Sequence, residues 1–171
     1  NTSVFKRALE SISDWQRDQI NVEVCTIGRK AQQFFEKMHF PILSHAEGIQ
    51  DIPKVETILE VIQICLAKYK QGSLQEIHIF YNEFVNTMTQ KPKAERLLPV
   101  VKLPVTDSSY EIEYDYEPSA EVVLRVALDR YIESIVYQAA VENIACEQAA
   151  RMIAMKNATD NATQIIYDLN L

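Results

Sequence analysis

Few residues in this sequence carry obvious chemistry, and they do not form a recognisable constellation. The three histidines, His39, His45 and His78, lack the spacing of metal ligands, and no Cys-x-x-Cys pair is present. Gly28 and Lys30 in "TIGRK" resemble an anion-binding turn, but an ordinary tight turn is the favoured interpretation. Because there is neither a Gly-x-Gly-x-x-Gly fingerprint nor a P-loop, the sequence predicts no catalytic centre and no bound cofactor or metal.

The three cysteines, Cys25, Cys65 and Cys146, are far apart in the sequence and set among apolar residues. Such cysteines usually behave as small buried hydrophobic side chains, and free thiols persist in reducing compartments. We therefore predict three buried thiols in a protein of a reducing compartment.

The charge balance restricts the classes of partner. The formal net charge of the 171 residues is −7, and no cluster of lysine and arginine stands out. Nucleic acids and anionic membrane surfaces require concentrated positive charge, so neither is predicted as a partner. No apolar run approaches the roughly 18 to 20 residues of a membrane span, so any membrane association must be indirect.

The first part of the chain alternates between two kinds of pattern. Helical periodicity is found in "FKRALESISDW", "RKAQQFFEKM" and "KVETILEVIQICLAKYKQ". Strand-like runs rich in β-branched and aromatic residues lie between and after them, in "NVEVCTI", "HFPILS" and "EIHIFYNEFVNTMTQ". This alternation predicts an open, Rossmann-like α/β sheet with helices on its faces.

The pattern then changes twice. Residues 91–117 lose all periodicity, carry prolines and end in the acidic, tyrosine-bearing "YEIEYDYEP", so we predict a surface loop or hairpin there. From Pro118 to Leu171 there is no glycine and no further proline, which predicts one long helix. The predicted organisation is an α/β domain over 1–117 followed by a long helix over 118–171.

The two halves of this helix differ. From Val122 to Ile144 large apolar residues cover much of the circumference, which indicates packing against a domain body as well as another helix. The second half carries a narrower heptad seam of Met152, Met155, Thr159, Ala162, Ile166 and Leu169. Beside the seam, alanines at spacing four would let a second helix approach closely.

Neither end of the sequence carries the usual signals. It opens without methionine, and its last helix has no glycine or proline to end it. We therefore expect the chain to be part of a longer one, in which the missing residues or another molecule supply the second helix.

Four segments resemble the gamma subunit of bacterial F-type ATP synthases. The most specific is "EQAARMIAMKNATDNA", and "YEPSAEVVL", "NTMTQKPKAERLLP" and "TIGRKAQQFF" occur upstream in the family's order. The resemblance implies that the two terminal helices of the full chain wind into an antiparallel coiled coil. It also implies a non-catalytic rotor, on the cytoplasmic face of the inner membrane, that couples proton flow to ATP synthesis and regulates ATPase activity.

The resemblance also implies partners and positions. The partners would be the alpha and beta subunits of the catalytic head, the epsilon subunit and the membrane ring of c subunits. Tyr114, Tyr116 and Glu117 would lie at the foot, near the epsilon subunit and the ring, although an acidic surface loop without partners explains them equally well. The shaft would include Arg151, Lys156, Asp160 and Asn161, together with the seam residues, and a merely solvated helix face is the alternative interpretation of these four polar side chains.

Two other functions are open at this stage. The first is a coiled-coil adaptor with an α/β head, unrelated to ATP synthesis, since a long alanine- and methionine-rich helix is common in such proteins. The second is a nucleotide-binding enzyme, which the missing phosphate loop disfavours.

Overall fold

The computed structural model describes residues 2–46, 55–100 and 115–169. Within them lie four helices and four strands: α1 (Thr2–Arg17), β1 (Val24–Ile27), α2 (Arg29–Lys37), β2 (Ile42–Ala46), α3 (Val55–Lys70), β3 (Ile77–Phe84), β4 (Gln90–Leu98) and α4 (Ala120–Leu169). The predicted class, a mixed α/β body followed by a long C-terminal helix, is confirmed.

The first unit of the body consists of a strand, a helix and a second strand. β1 and β2 pair in parallel, and α2 connects them. Gly28 joins β1 to α2 with a φ of 97°, a value that side chains with a Cβ rarely adopt. The glycine therefore allows the tight turn that the sequence predicted at "TIGRK".

An aromatic cluster fixes α1 and α2 against this sheet. α1 buries Val4, Ala8 and Ile12, which are spaced four residues apart and therefore lie on one face. Beside them, the rings of Phe5 and Phe34 stack with centroids 4.6 Å apart. The amphipathic periodicity of α1 thus becomes a continuous apolar contact with α2.

β3 and β4 form an antiparallel hairpin, and β4 corrects the predicted loop at 91–117. Residues 90–98 are a strand in register with β3, and Pro92 lies opposite Asn82. Strands at the edge of a sheet tolerate proline and carry lysines that discourage further pairing. β4 therefore lacks the apolar alternation that identifies an ordinary strand, and residues 101–114 of the predicted loop lie outside the described residues.

The described strands make two separate two-stranded sheets instead of the single open sheet expected from the sequence. A helix joins them, because the indole ring of Trp15 on α1 lies 4.7 Å from the ring of His78 and 6.2 Å from that of Phe80 on β3. Side-chain packing across α1, rather than a continuous ladder, therefore holds the body together. On β1 the side chain of Thr26 is 2% exposed, and its hydroxyl has no hydrogen-bond partner among the described residues.

The main core lies where α3, the end of β4 and the long helix meet. It buries Ile58, Ile62, Leu66, Leu97, Leu98, Ile132, Val136 and Ala140. Because α3 and β4 contact α4 in this core, the body is packed directly against the long helix. The part of the chain that the structure describes contains no helix that is both long enough and apolar enough to span a membrane.

Truncating the centre of this core should destabilise the protein strongly. Ile58 is 1% exposed, so Ile58→Ala removes buried methyl groups and leaves a cavity, which costs about 2–5 kcal/mol of unfolding free energy. Urea denaturation of the purified full-length protein measures this loss.

The matched control is Ile64→Ala on the same helix, where the side chain is 40% exposed. Its unfolding free energy should stay within about 0.5 kcal/mol of the wild type. Equal losses for the two variants would contradict the placement of α3.

Candidate functional site on the long helix

The middle of α4 rests on the body through small and branched side chains. Ile132 and Val136 enter the main core, and Ala139 and Ala140 are buried one turn further on. Small residues at a contact allow close approach of the packed elements. The two alanines therefore bring the α4 backbone close to the body.

Val122, Leu124 and Val126, at the start of α4, are exposed. The broad apolar stripe predicted from Val122 to Ile144 is therefore uncovered at these three positions and fully buried first at Ile132. Val123 and Leu128, on the same length of helix, are half-buried.

A polar cluster marks the next part of the contact, which we call the latch: Asn82, Glu142, Asn143 and Cys146. The Oδ1 atom of Asn143 accepts hydrogen bonds from the side-chain amide of Asn82 at 3.0 Å and from its backbone N–H at 3.4 Å. Asn82 is only 4% exposed. Buried amides need such partners, because an unpaired buried donor costs free energy.

Two further bonds complete the latch along β3. A carboxylate oxygen of Glu142 accepts from the backbone N–H of Phe84 at 3.3 Å, and the thiol of Cys146 donates to the carbonyl oxygen of Asn82 at 3.5 Å. Burial, and secondarily the charge of Glu142, raises the pKa of Cys146, which keeps this thiol protonated as a donor. Side chains of α4 thus satisfy backbone groups on the edge of β3 that β4 does not pair.

Two ion pairs flank the contact. The ammonium of Lys70 lies 2.8 Å from a carboxylate oxygen of Asp129, and that of Lys30 lies 3.9 Å from Glu147. All four side chains are more than a third exposed, and such pairs contribute about 0–1 kcal/mol. The apolar core and the latch therefore carry the contact between the body and α4.

Beyond Ala149, the last buried residue, α4 runs free of the body. Every described side chain after it is exposed except that of Ile153, which is half-buried. The structure places all the predicted shaft residues on this exposed length: Arg151, Met152, Met155, Lys156, Thr159, Asp160, Asn161, Ala162, Ile166 and Leu169. With about 1.5 Å of rise per residue, residues 150–169 extend roughly 30 Å.

Local interactions support the helix here. The hydroxyls of Thr159 and Thr163 donate to the backbone carbonyls of Met155 and Thr159, both at 3.0 Å. Glu147 and Arg151 form an i, i+4 ion pair at 2.9 Å, in the orientation that favours a helix. Because the threonine hydroxyls bond within their own helix, Thr159 can lie in an apolar seam without an unpaired donor.

The seam residues predicted from the heptad spacing lie on an exposed apolar surface of α4. Two further residues of this surface were not predicted from the sequence. Ile165 and Tyr167 are as exposed as Ile166, but they fall outside the three-and-four spacing of the seam. A rule based on spacing selects one face, so residues on adjacent faces are not selected. The latch was missed for another reason, because its members pair across 61 residues without a periodic signal.

The predicted foot is only partly described. Tyr116 and Glu117 are exposed and lie immediately before α4, whereas Tyr114 lies outside the described residues. Their contact with partners stays a prediction. At the predicted tight turn, the backbone N–H of Gly28 donates to the carbonyl of Ala46 at 2.9 Å, so this amide is already engaged.

The sequence matches the family described as ATP synthase over residues 1–171. It is 45% identical over 174 residues to the ATP synthase gamma chain of Nitrosococcus oceani, and 44% identical over 173 residues to that of Legionella pneumophila strain Corby. Each alignment covers 100% of this chain and 60% of the relative. The chain thus spans about 60% of the length of these relatives.

One solved structure is also similar to this chain. The chain resembles one from the central stalk and c-ring structure of the Tetrahymena thermophila mitochondrial ATP synthase, with a TM-score of 0.57 and 25% sequence identity. The superposition covers 78% of this chain and 58% of the other.

Removing the hydrogen-bond acceptor of the latch, the Asn143 side chain, should lower the stability of the folded protein. Asn143→Ala leaves the buried amide of Asn82 without its partner, which should lower the unfolding free energy by about 1–3 kcal/mol. Denaturant unfolding of the full-length protein measures the loss, with the exposed Asn157→Ala on the same helix as the control, expected to stay within about 0.5 kcal/mol.

A double-mutant cycle with Asn82→Ala separates this bond from general damage. Residues that bond directly show coupling energies of at least about 0.5 kcal/mol. Additive effects of Asn82→Ala and Asn143→Ala would contradict the latch.

Proposed function

This chain belongs to the ATP synthase family, and from that premise we propose that it is the body and middle shaft of a rotor gamma subunit. In this role it couples proton flow through a membrane ring of c subunits to ATP synthesis in a head of alpha and beta subunits, and it regulates ATPase activity there. The α/β body, residues 1–117, would sit at the foot of the rotor, and residues 118–171 would form the shaft.

The observation that carries the proposal is the division of α4 into a held part and a free part. Residues from Ile132 to Ala149 are anchored on the body, and the following residues extend as an exposed helix with an apolar seam. A rotor needs this arrangement, because torque applied at the body must reach a shaft that projects away from it.

A second helix would cover the seam. The side chains of Met152, Met155 and Ile166 are more than half exposed, and they would be buried by an antiparallel helix of the same polypeptide. The alanines at positions 150, 154, 158 and 162 would allow the two backbones to approach closely. The length by which the relatives exceed this chain leaves room for such a helix.

The same helix meets the requirement for stiffness. Its 50 residues contain neither glycine nor proline, the residues at which helices most often bend or kink. Twist imposed at the latch would therefore pass along α4 instead of being absorbed at a hinge.

The coupling itself is a matter of differential contact. A rotating asymmetric shaft alters the catalytic subunits only if it contacts their conformations with different free energies. The proposal assigns no catalytic group to this chain. Its residues would orient the shaft and transmit its rotation, and the beta subunits would carry out the chemistry. Tyr114, Tyr116 and Glu117 would face the epsilon subunit and the ring, at the cytoplasmic face of the bacterial inner membrane.

Reconstitution tests the proposal directly. The full-length protein, mixed with alpha, beta and epsilon subunits, should form a complex that hydrolyses ATP with rotation of the stalk. A complex in which ATP hydrolysis causes no rotation, or a failure to assemble, would contradict the proposed rotor function and favour the coiled-coil adaptor.

A matched pair of substitutions tests the seam. Ile166 and Tyr167 are 60% and 62% exposed, so Ile166→Glu and Tyr167→Glu should affect the unpaired helix alike. Once a second helix covers the seam, only Ile166→Glu places a charge in an apolar contact. It should reduce the yield of coupled complex roughly tenfold or more, an effect of about 1.4 kcal/mol or greater.

The Tyr167→Glu complex should synthesise ATP at close to the wild-type rate when driven by a proton gradient in vesicles. Equal activity of the two variants would place the second helix on another face of α4.

A further inference from the structure

Two of the three cysteines meet in the body. The sulfur atoms of Cys25 on β1 and Cys65 on α3 are 3.2 Å apart, although 40 residues separate them in the sequence. Both thiols are free and half-buried, whereas Cys146 is buried in the latch. The predicted burial is therefore confirmed for Cys146 and wrong for the other two, because both lie at the border of the core.

We propose that Cys25 and Cys65 form a redox modification site, in which a hydroperoxide oxidises the two thiols to a disulfide and a thiol reductant restores them. The site lies within the body and stands apart from the proposed rotor function.

The electrostatics distinguish the two thiols. The pKa of Cys65 is lowered, first because its sulfur accepts a hydrogen bond from Cys25 and in smaller part because the Lys68 ammonium lies near. The pKa of Cys25 is raised, first because its proton is held in that hydrogen bond and then by burial. Of the two sulfurs, that of Cys65 loses its proton more readily, so we assign Cys65 as the nucleophile and Cys25 as the thiol that follows it.

The oxidation balances in two steps. The Cys65 thiolate attacks one oxygen of hydrogen peroxide; a sulfur–oxygen bond forms, the oxygen–oxygen bond breaks, and the released hydroxide takes a proton from solvent to become water. Cys25 sulfur then attacks the Cys65 sulfenic sulfur; the disulfide forms, the sulfur–oxygen bond breaks, and hydroxide leaves with the Cys25 proton as a second water. Two thiols lose two electrons, and the peroxide gains them.

The surrounding contacts hold the two sulfurs near bonding distance. A disulfide bond is about 2.05 Å long, so the sulfurs must approach by roughly 1.1 Å. The Lys68 ammonium contacts both carboxylate oxygens of Glu23, at 2.8 and 2.7 Å, and so clamps α3 beside the start of β1. Disulfide formation therefore needs only a short further approach of two sulfur atoms that are already in contact.

The disulfide would tie β1 to the helix that supports α4. α3 contributes Ile58, Ile62 and Leu66 to the main core, and the cross-link would close a long loop of the unfolded chain. Restricting the unfolded state in this way stabilises the folded one. Oxidation should therefore raise the melting temperature of the full-length protein by roughly 5 °C or more.

The experiment treats purified full-length protein with hydrogen peroxide and measures its mass, tryptic peptides and melting temperature. Cleavage after Arg17, Arg29, Lys54 and Lys68 places Cys25 in peptide 18–29 and Cys65 in peptide 55–68. The expected product is the linked pair of these peptides, lighter by two hydrogen atoms than the sum of the two, and dithiothreitol should separate them and reverse the rise in melting temperature.

Three serine variants make the assignment. Cys146→Ser should oxidise like the wild type, whereas Cys25→Ser and Cys65→Ser should show no linked peptide and no rise. Sulfinic acid on Cys65 without the link, or a link through any other cysteine, would overturn the proposal. The peptide map of the wild type decides the question even if a variant fails to fold, and it does so whether or not the protein assembles as a rotor.

Discussion

The contact of α4 with the body is the constraint on which the rest of the structure depends. Ile132 and Val136 insert into a core that α3 and β4 complete, so removal of α4 would expose the apolar faces of both. The body is therefore not an independent layer to which a helix has been attached. Its two small sheets share no ladder, and the helices that cover them supply the cohesion that a continuous sheet would otherwise provide.

Apolar burial alone does not set the orientation of a helix, because the hydrophobic effect has no direction. The latch supplies direction, since Asn143 satisfies Asn82 only at one rotation and one axial position of α4. Polar groups in a low-dielectric contact are costly when they lose their partners. One hydrogen-bonded pair among apolar neighbours therefore favours a single angle between α4 and the body, and the proposed rotor would require such a fixed angle.

The sequence predicted what periodicity encodes and missed what depends on tertiary contact. α1, α2, α3 and α4 follow from apolar spacing, and Gly28 marks the turn before α2. β4 was not predicted as a strand, because its lysines and Pro92 are typical of an edge strand, and only its pairing with β3 identifies it as one. The exposed seam followed from the heptad, but the latch and the Cys25–Cys65 contact join residues 40 and 61 positions apart. Such pairs leave no local signal in a single sequence.

The free half of α4 has little to hold it except its own backbone. In proteins most helical stability comes from tertiary packing of one face, and the i, i+4 pairs along this half contribute only a few tenths of a kcal/mol each. If a second helix covers the seam, as we propose, that contact would supply most of the rigidity. In the proposed rotor, ordering of this half of α4 and association with the second helix would therefore be one event. The stiffness of the proposed shaft would then depend on assembly.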